Sequence, residues 1–163
     1  MKNIFILSCA LLLFSCSNKG NDTAALQQRR DSVEQQPAKI YKPGLGEFMS
    51  SIQVHHAKLW FAGTNQNWQL AEFEMGEIGE ALDNITLYCA DRPEIKTLRV
   101  INPALDSLRH ALASKNLQSF KKGFVLLTAD CNSCHRATNH AFNVIIIPRT
   151  PPFTNQDFAA HTQ

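Results

Sequence analysis

The sequence predicts an all-α protein: an antiparallel four-helix bundle with an irregular C-terminal tail. Three observations carry the prediction. Apolar residues recur at three- and four-residue spacing in successive stretches between Leu45 and Thr138, as helices that bury one face require. The connections between those stretches are short, which makes consecutive helices antiparallel neighbours. No alternating pattern of useful length precedes the tail, and its one strand-like run, Val144 to Ile147, cannot form a sheet alone.

The N-terminus reads as an export signal. Met1-Lys2-Asn3 is a short basic region, and Ile4 to Phe14 is apolar but too short to span a bilayer as a lasting helix. Leu13-Phe14-Ser15-Cys16 resembles the lipobox of bacterial lipoproteins. That resemblance implies cleavage after residue 15, lipidation of Cys16 and a membrane anchor in the cell envelope, facing the periplasm or the cell surface. An ordinary secretory signal and an uncleaved anchor are the alternatives. Residues 16–43 are polar with few aromatics, as a flexible tether would be. Within them Gln27 to Gln36 has the makings of a weak helix with little apolar face. Lys42-Pro43-Gly44 marks the start of the folded domain, 44–138.

The first bundle helix runs from about Leu45 to Ala62, with Leu45, Phe48, Met49, Ile52, His56, Leu59 and Trp60 at helical spacing. Gly63-Thr64-Asn65 should end it. The second runs from about Gln66 to Ala90 on Trp68, Ala71, Met75, Ile78, Leu82, Ile85 and Cys89, with Glu72, Glu74, Glu77 and Glu80 off that stripe. Gly76 and Gly79 lower its helicity and offer room for a close neighbour. Asp91-Arg92-Pro93 closes it. Glu94 to Arg99 forms a helical turn. Asn102-Pro103 then reads as an N-cap followed by proline at the first helical position, opening a third helix to about Ala113. The fourth starts at Asn116 or Leu117, carries Leu117, Phe120, Phe124, Leu127 and Cys131 on one stripe, and ends near Thr138. The tail, 139–163, should pack on the bundle as irregular chain through Phe142 and Val144 to Ile147.

The fourth helix holds the chemistry. Cys131-Asn132-Ser133-Cys134-His135 is the spacing of c-type haem attachment. Positions i and i+3 of a helix point the same way, so both thiols can reach the two vinyl groups of one porphyrin. His135 is then held beneath the iron as proximal ligand. Among the five cysteines, Cys9 leaves with the signal, Cys16 takes lipid, and Cys131 and Cys134 take haem. Cys89 is left without a disulfide partner and reads as a buried small residue. Formal net charge is +2 with no basic stripe, which gives no reason to expect nucleic acid.

Over Gly44 to Thr138 the chain resembles the class II cytochromes c, the group of cytochrome c-prime and its low-spin relatives. The likeness lies in the CxxCH motif at Cys131 to His135 in the last helix and in the helix count. It implies one covalent haem c seated between the first and last helices, electron transfer between redox partner proteins without enzymatic activity, and a homodimer through the first two helices. The continuation beyond residue 138 departs from that pattern. In low-spin members a methionine on the first helix takes the sixth iron position; Met49 is the candidate here, with His56 on the same stripe as the alternative. His55, about 100° round the helix, should face solvent. His110, His140 and His161 are further ligand candidates. Arg136, or Lys121 or Lys122, would pair with a haem propionate. An open sixth position would instead make a gas-binding or sensing protein. A haem-free reading leaves Cys131, Cys134, His135 and His140 for zinc, or the two cysteines as a dithiol.

Overall fold

The computed structural model describes residues 19–35 and 43–161. The signal segment and Cys16 lie outside the described residues. All regular structure among the described residues is helical: α1 Lys19–Gln35, α2 Leu45–Thr64, α3 Trp68–Tyr88, a 3-10 segment Pro93–Ile101, α4 Asn102–Ala113 and α5 Leu117–Ala137. The chain divides between Lys42 and Pro43 into two units.

In the first unit, α1 is longer than the Gln27–Gln36 stretch the sequence favoured. It has no apolar face to bury, and residues 23–32 are all exposed. Its polar side chains bond locally instead, Gln27 Nε2 to Asp31 Oδ1 at 3.1 Å and Ser32 Oγ to the Arg29 carbonyl at 2.8 Å.

In the second unit α2, α3 and α5 each start on a specific stop to the chain. The Glu47 carboxylate accepts the Gly44 N–H at 3.1 Å. Asn67 accepts from the Leu70 N–H at 3.2 Å and Asn116 from the Ser119 N–H at 2.9 Å, which satisfies donors that a helix start leaves open. Asn102 does not act as the cap its position before Pro103 suggested. It lies in helical geometry (φ −57°, ψ −44°), because the nine-residue 3-10 segment runs straight into α4 and leaves no break to cap. The turns after α2, α4 and α5 use Gln66, Lys115 and Asn139 at φ 59°, 51° and 62°, a left-handed geometry that asparagine tolerates better than the other two.

α2 packs chiefly on α3 and α4 chiefly on α5; α3 meets α4, α5 meets α2 more sparingly, and the 3-10 segment lies against α5. The fully buried centre includes Leu59, Ile78, Ile85, Leu108, Phe120, Phe124 and Leu127. Gly63 lies inside α2 rather than ending it. A Cβ there would sit 2.1 Å from Phe120 Cζ, so the missing side chain is what lets the Phe120 ring rest on α2. Gly76 and Gly79 have no neighbour within 4 Å of a notional Cβ. Cys89 is buried, its Sγ 3.9 Å from the Pro43 carbonyl.

After α5, residues 139–161 form no helix or strand, yet they are tied down at several points. Phe158, 5% exposed, packs on Phe61 with ring centres 5.7 Å apart. Asn67 Nδ2 donates to the Ala159 carbonyl at 2.8 Å. Lys58 Nζ stands 5.5 Å from the centre of the Phe153 ring. Ile145 and Ile147 are partly buried, whereas Phe142 (83% exposed), Val144 and Ile146 face outward.

Candidate functional site

The last turns of α5 carry Cys131, Cys134 and His135, and all three border a cavity of about 270 Å³. Its opposite wall is the first half of α2, with Met49, Ile52 and His56. A second cleft of about 40 Å³ shares Met49, Ile52, Cys131, Cys134 and His135 and is closed by Leu82, Leu98 and Ile101. The motif is therefore flanked by space on the side facing α2, and Met49 lines both clefts.

The two thiols are half-buried. Cys134 Sγ lies 3.1 Å from Thr97 Oγ1. Burial pushes the Cys131 thiol up to about 12, with the neighbouring Cys134 and Asp130 adding to the shift. The Cys131 thiol is neutral at ordinary pH, unlike the stabilised thiolate of a reactive cysteine. His135 Nδ1 lies 2.6 Å from the Asn143 carbonyl oxygen. A carbonyl can only accept, so Nδ1 carries a proton, and the lone pair of the neutral ring falls on Nε2.

His56 is 3% exposed. Its Nε2 is 2.9 Å from Thr128 Oγ1, and that hydroxyl donates to the Phe124 carbonyl at 2.9 Å. The hydroxyl has one hydrogen, so it accepts from His56 Nε2–H, leaving only Nδ1 free to bind anything. The ring lies against Phe124, centres 4.4 Å apart. Burial lowers its pKa to about 4.

His55 does not face solvent as its position on the helix suggested. Its Nδ1 is 2.6 Å from Glu74 Oε2, and the Glu74 side chain is 0% exposed. Glu74, which the stripe of α3 left on the polar side, is buried because α2 supplies His55 and Lys58 opposite it; Lys58 Nζ is 3.7 Å from Glu74 Oε1. Arg136 is exposed and donates to Ser133 Oγ at 2.9 Å, away from the cavity lining. Lys121 and Lys122 are exposed and do not line it either. His110 is exposed, and His161 pairs with Asp157 at 3.3 Å. His140 does reach the cavity wall.

Arg92 and Glu94 also line the cavity, and sequence reasoning missed both. Arg92 Nη2 and Nε hold the Glu94 carboxylate at 2.9 and 3.3 Å. This contact holds the Glu94 carboxyl below its usual range and raises Arg92 further. In the sequence Arg92 belongs to a helix-stopping tripeptide, and nothing there points to a cavity. Asn143 and Ile145, from the tail, complete the lining that matters below.

The donor set fits a covalently attached haem. Cys131 and Cys134 would hold the porphyrin by thioether bonds, His135 Nε2 and the Met49 sulfur would be the protein ligands offered to the iron, and Arg92, already paired with Glu94, is a cation on the same wall. Among the described residues no three His, Cys, Asp or Glu side chains converge to hold a metal ion of their own, and no helix is long and apolar enough to cross a membrane. No protein-family model matches the chain, and no curated protein or solved structure does.

Proposed function

We propose that this chain is a membrane-tethered c-type cytochrome that carries single electrons through one haem joined to Cys131 and Cys134. The observation that carries the reading is the convergence on one cavity of both motif thiols, the His135 imidazole and, across from them, the Met49 thioether. In this reading α2, α3, α4 and α5 are the antiparallel four-helix bundle of the class II cytochromes c, which the contacts of α2 with both α3 and α5 support. Cys16 carries the lipid, and the partners are redox proteins of the envelope.

When bound, the haem supplies a one-electron iron couple. The chain's own residues do the rest. Cys131 and Cys134 fix the macrocycle to one face of α5. His135, with Nδ1 engaged, offers Nε2. Met49 offers a soft sulfur that favours the reduced metal. His56 is the weaker candidate for the sixth position, since its Nε2 is already committed to Thr128. Ile52, Leu82, Leu98 and Ile101 keep water from the apolar side, and Arg92 offsets carboxylate charge at the wall.

The haem-free alternatives fit less well. In a redox dithiol the attacking sulfur has a lowered pKa, and burial shifts Cys131 upward, so Cys131 is not suited to that role. A zinc site needs at least a third donor in place beside the cysteines. A gas-binding protein shares the same attachment chemistry and differs only at the sixth position.

Haem staining after denaturing electrophoresis of exported protein tests the attachment: stain that stays with the chain is expected, and its absence overturns the reading. The spectrum then separates carrier from sensor. A low-spin ferrous spectrum indifferent to carbon monoxide is expected, and Met49→Ala should turn it into one that shifts with carbon monoxide. An unchanged spectrum in that variant removes Met49 from the iron.

A further inference from the structure

The tail contributes more than a cover. Asn139 takes a left-handed turn at the end of α5 (φ 62°). The chain then doubles back through two tight turns, the His140 N–H on the His135 carbonyl at 2.7 Å and the Asn143 N–H on the His140 carbonyl at 2.9 Å. It is caught there by Asn132. The Asn132 amide donates to the Ile145 carbonyl at 2.8 Å and accepts the Ile145 N–H at 2.8 Å. Its Nδ2 also donates to the Thr128 carbonyl at 2.9 Å. One side chain thus clamps both polar groups of a tail residue while anchored to its own helix, with its full donor capacity used. Asn132 is three residues before His135, so both project from the same side of α5.

We infer that residues 139–147 form a strap for the proximal ligand: Asn132 holds Ile145, Ile145 sets the register of Asn143, and the Asn143 carbonyl holds His135 by its Nδ1 hydrogen. The inference rests on the haem reading and adds to it a positioning residue, Asn132, within the attachment motif itself. A ligating histidine is oriented, and its basicity raised, by whatever accepts its other N–H. Here that acceptor is a backbone carbonyl from outside the helix, 2.6 Å away, and it stays in place only as long as the clamp does. A more basic imidazole stabilises the oxidised iron, so the strap lowers the reduction potential.

The test uses the full chain with haem attached. Asn132→Ala removes the clamp from the helix side. Ile145→Pro removes the Ile145 N–H from the tail side and leaves Asn132 intact, so it carries the test if the first variant does not mature. Both should retain the haem stain. In ¹⁵N-histidine-labelled ferrous protein, the His135 Nδ1 proton should exchange with solvent about tenfold faster than in the parent, the effect of losing one hydrogen bond. The midpoint potential should rise in both variants. Haem-bearing variants with unchanged exchange and unchanged potential overturn the strap while leaving the haem reading intact. A parent chain that carries no haem overturns the haem reading instead.

Discussion

The two ends of the α2–α5 pair are built oppositely. At one end Gly63 lets the Phe120 ring lie against the helix, and Trp60 fills the space beside it, 4.9 Å from Phe124 and 6.3 Å from Phe120 by ring centres. At the other end the same two helices border a cavity of about 270 Å³. The inward stripe of α2 runs through both, from Leu45 to Trp60, apolar but for His56. What changes is the facing helix, where Phe120 and Phe124 give way to Cys131, Cys134 and His135. Periodicity therefore says which face of a helix turns inward. It does not say whether that face meets another side chain or a space. Shape complementarity closes one end, and the residues with chemistry to offer gather where it stops.

The largest effect should come from the open end. If haem is attached as proposed, replacing both Cys131 and Cys134 by Ser should abolish it entirely, read as loss of the stain and of the visible spectrum. Haem retained on that variant would mean the cavity end is not where it attaches.

Next comes the boundary between the two ends, where His56 lies on Phe124. Its folded-state pKa of about 4 is below the ordinary 6.5. As pH falls the unfolded chain takes up the proton first. Stability that is fully present above about pH 6.5 should drain away between there and pH 4, by about 3 kcal/mol, and level off below. Urea titrations across that range check it. His56→Gln should flatten the difference, and an equal slope in the variant would assign the loss to other groups.

The closed end should respond to a single methyl group. Gly63→Ala gains helix propensity but drives a Cβ into the Phe120 ring, so a net loss of about 1–3 kcal/mol is expected. Gly76→Ala, with nothing within 4 Å, should instead stabilise by about 0.8 kcal/mol. Opposite signs from one substitution, measured by urea unfolding, would sharpen the contrast between packed and open helix faces. Equal signs would break it.

Arg136→Ala should do least. The side chain is exposed and donates to Ser133, so stability should move by no more than about 0.5 kcal/mol, with the visible spectrum and potential unchanged. A shifted potential would restore Arg136 as a haem neighbour.

What the sequence made legible was local. Four amphipathic stretches announced themselves by spacing, and the motif at Cys131 to His135 is contained within little more than one turn. Met49 was singled out by the resemblance, and the stripe it shares with Ile52 and His56 puts it on the face that borders the cavity. The remainder depended on residues distant along the chain. Glu74 is buried because His55, 19 positions earlier, faces it. Arg92 and Asn143 reach the cavity from the two ends of a path that composition does not trace. Gln66 and Lys115 turn the chain in a left-handed geometry that sequence rules assign to glycine. Asn132 was hidden in plain view, as one of the two variable positions of a motif defined by its other residues.

The Asn143 carbonyl also bears on where this molecule can be cut. Drawing the domain's edge at the last helical residue keeps every letter of the Cys131 to His135 motif and discards the oxygen on which its imidazole leans. Any shortened version for study, or any transplant of these helices into another scaffold, should extend at least through Ile147, since the centre is finished by chain that is made after it.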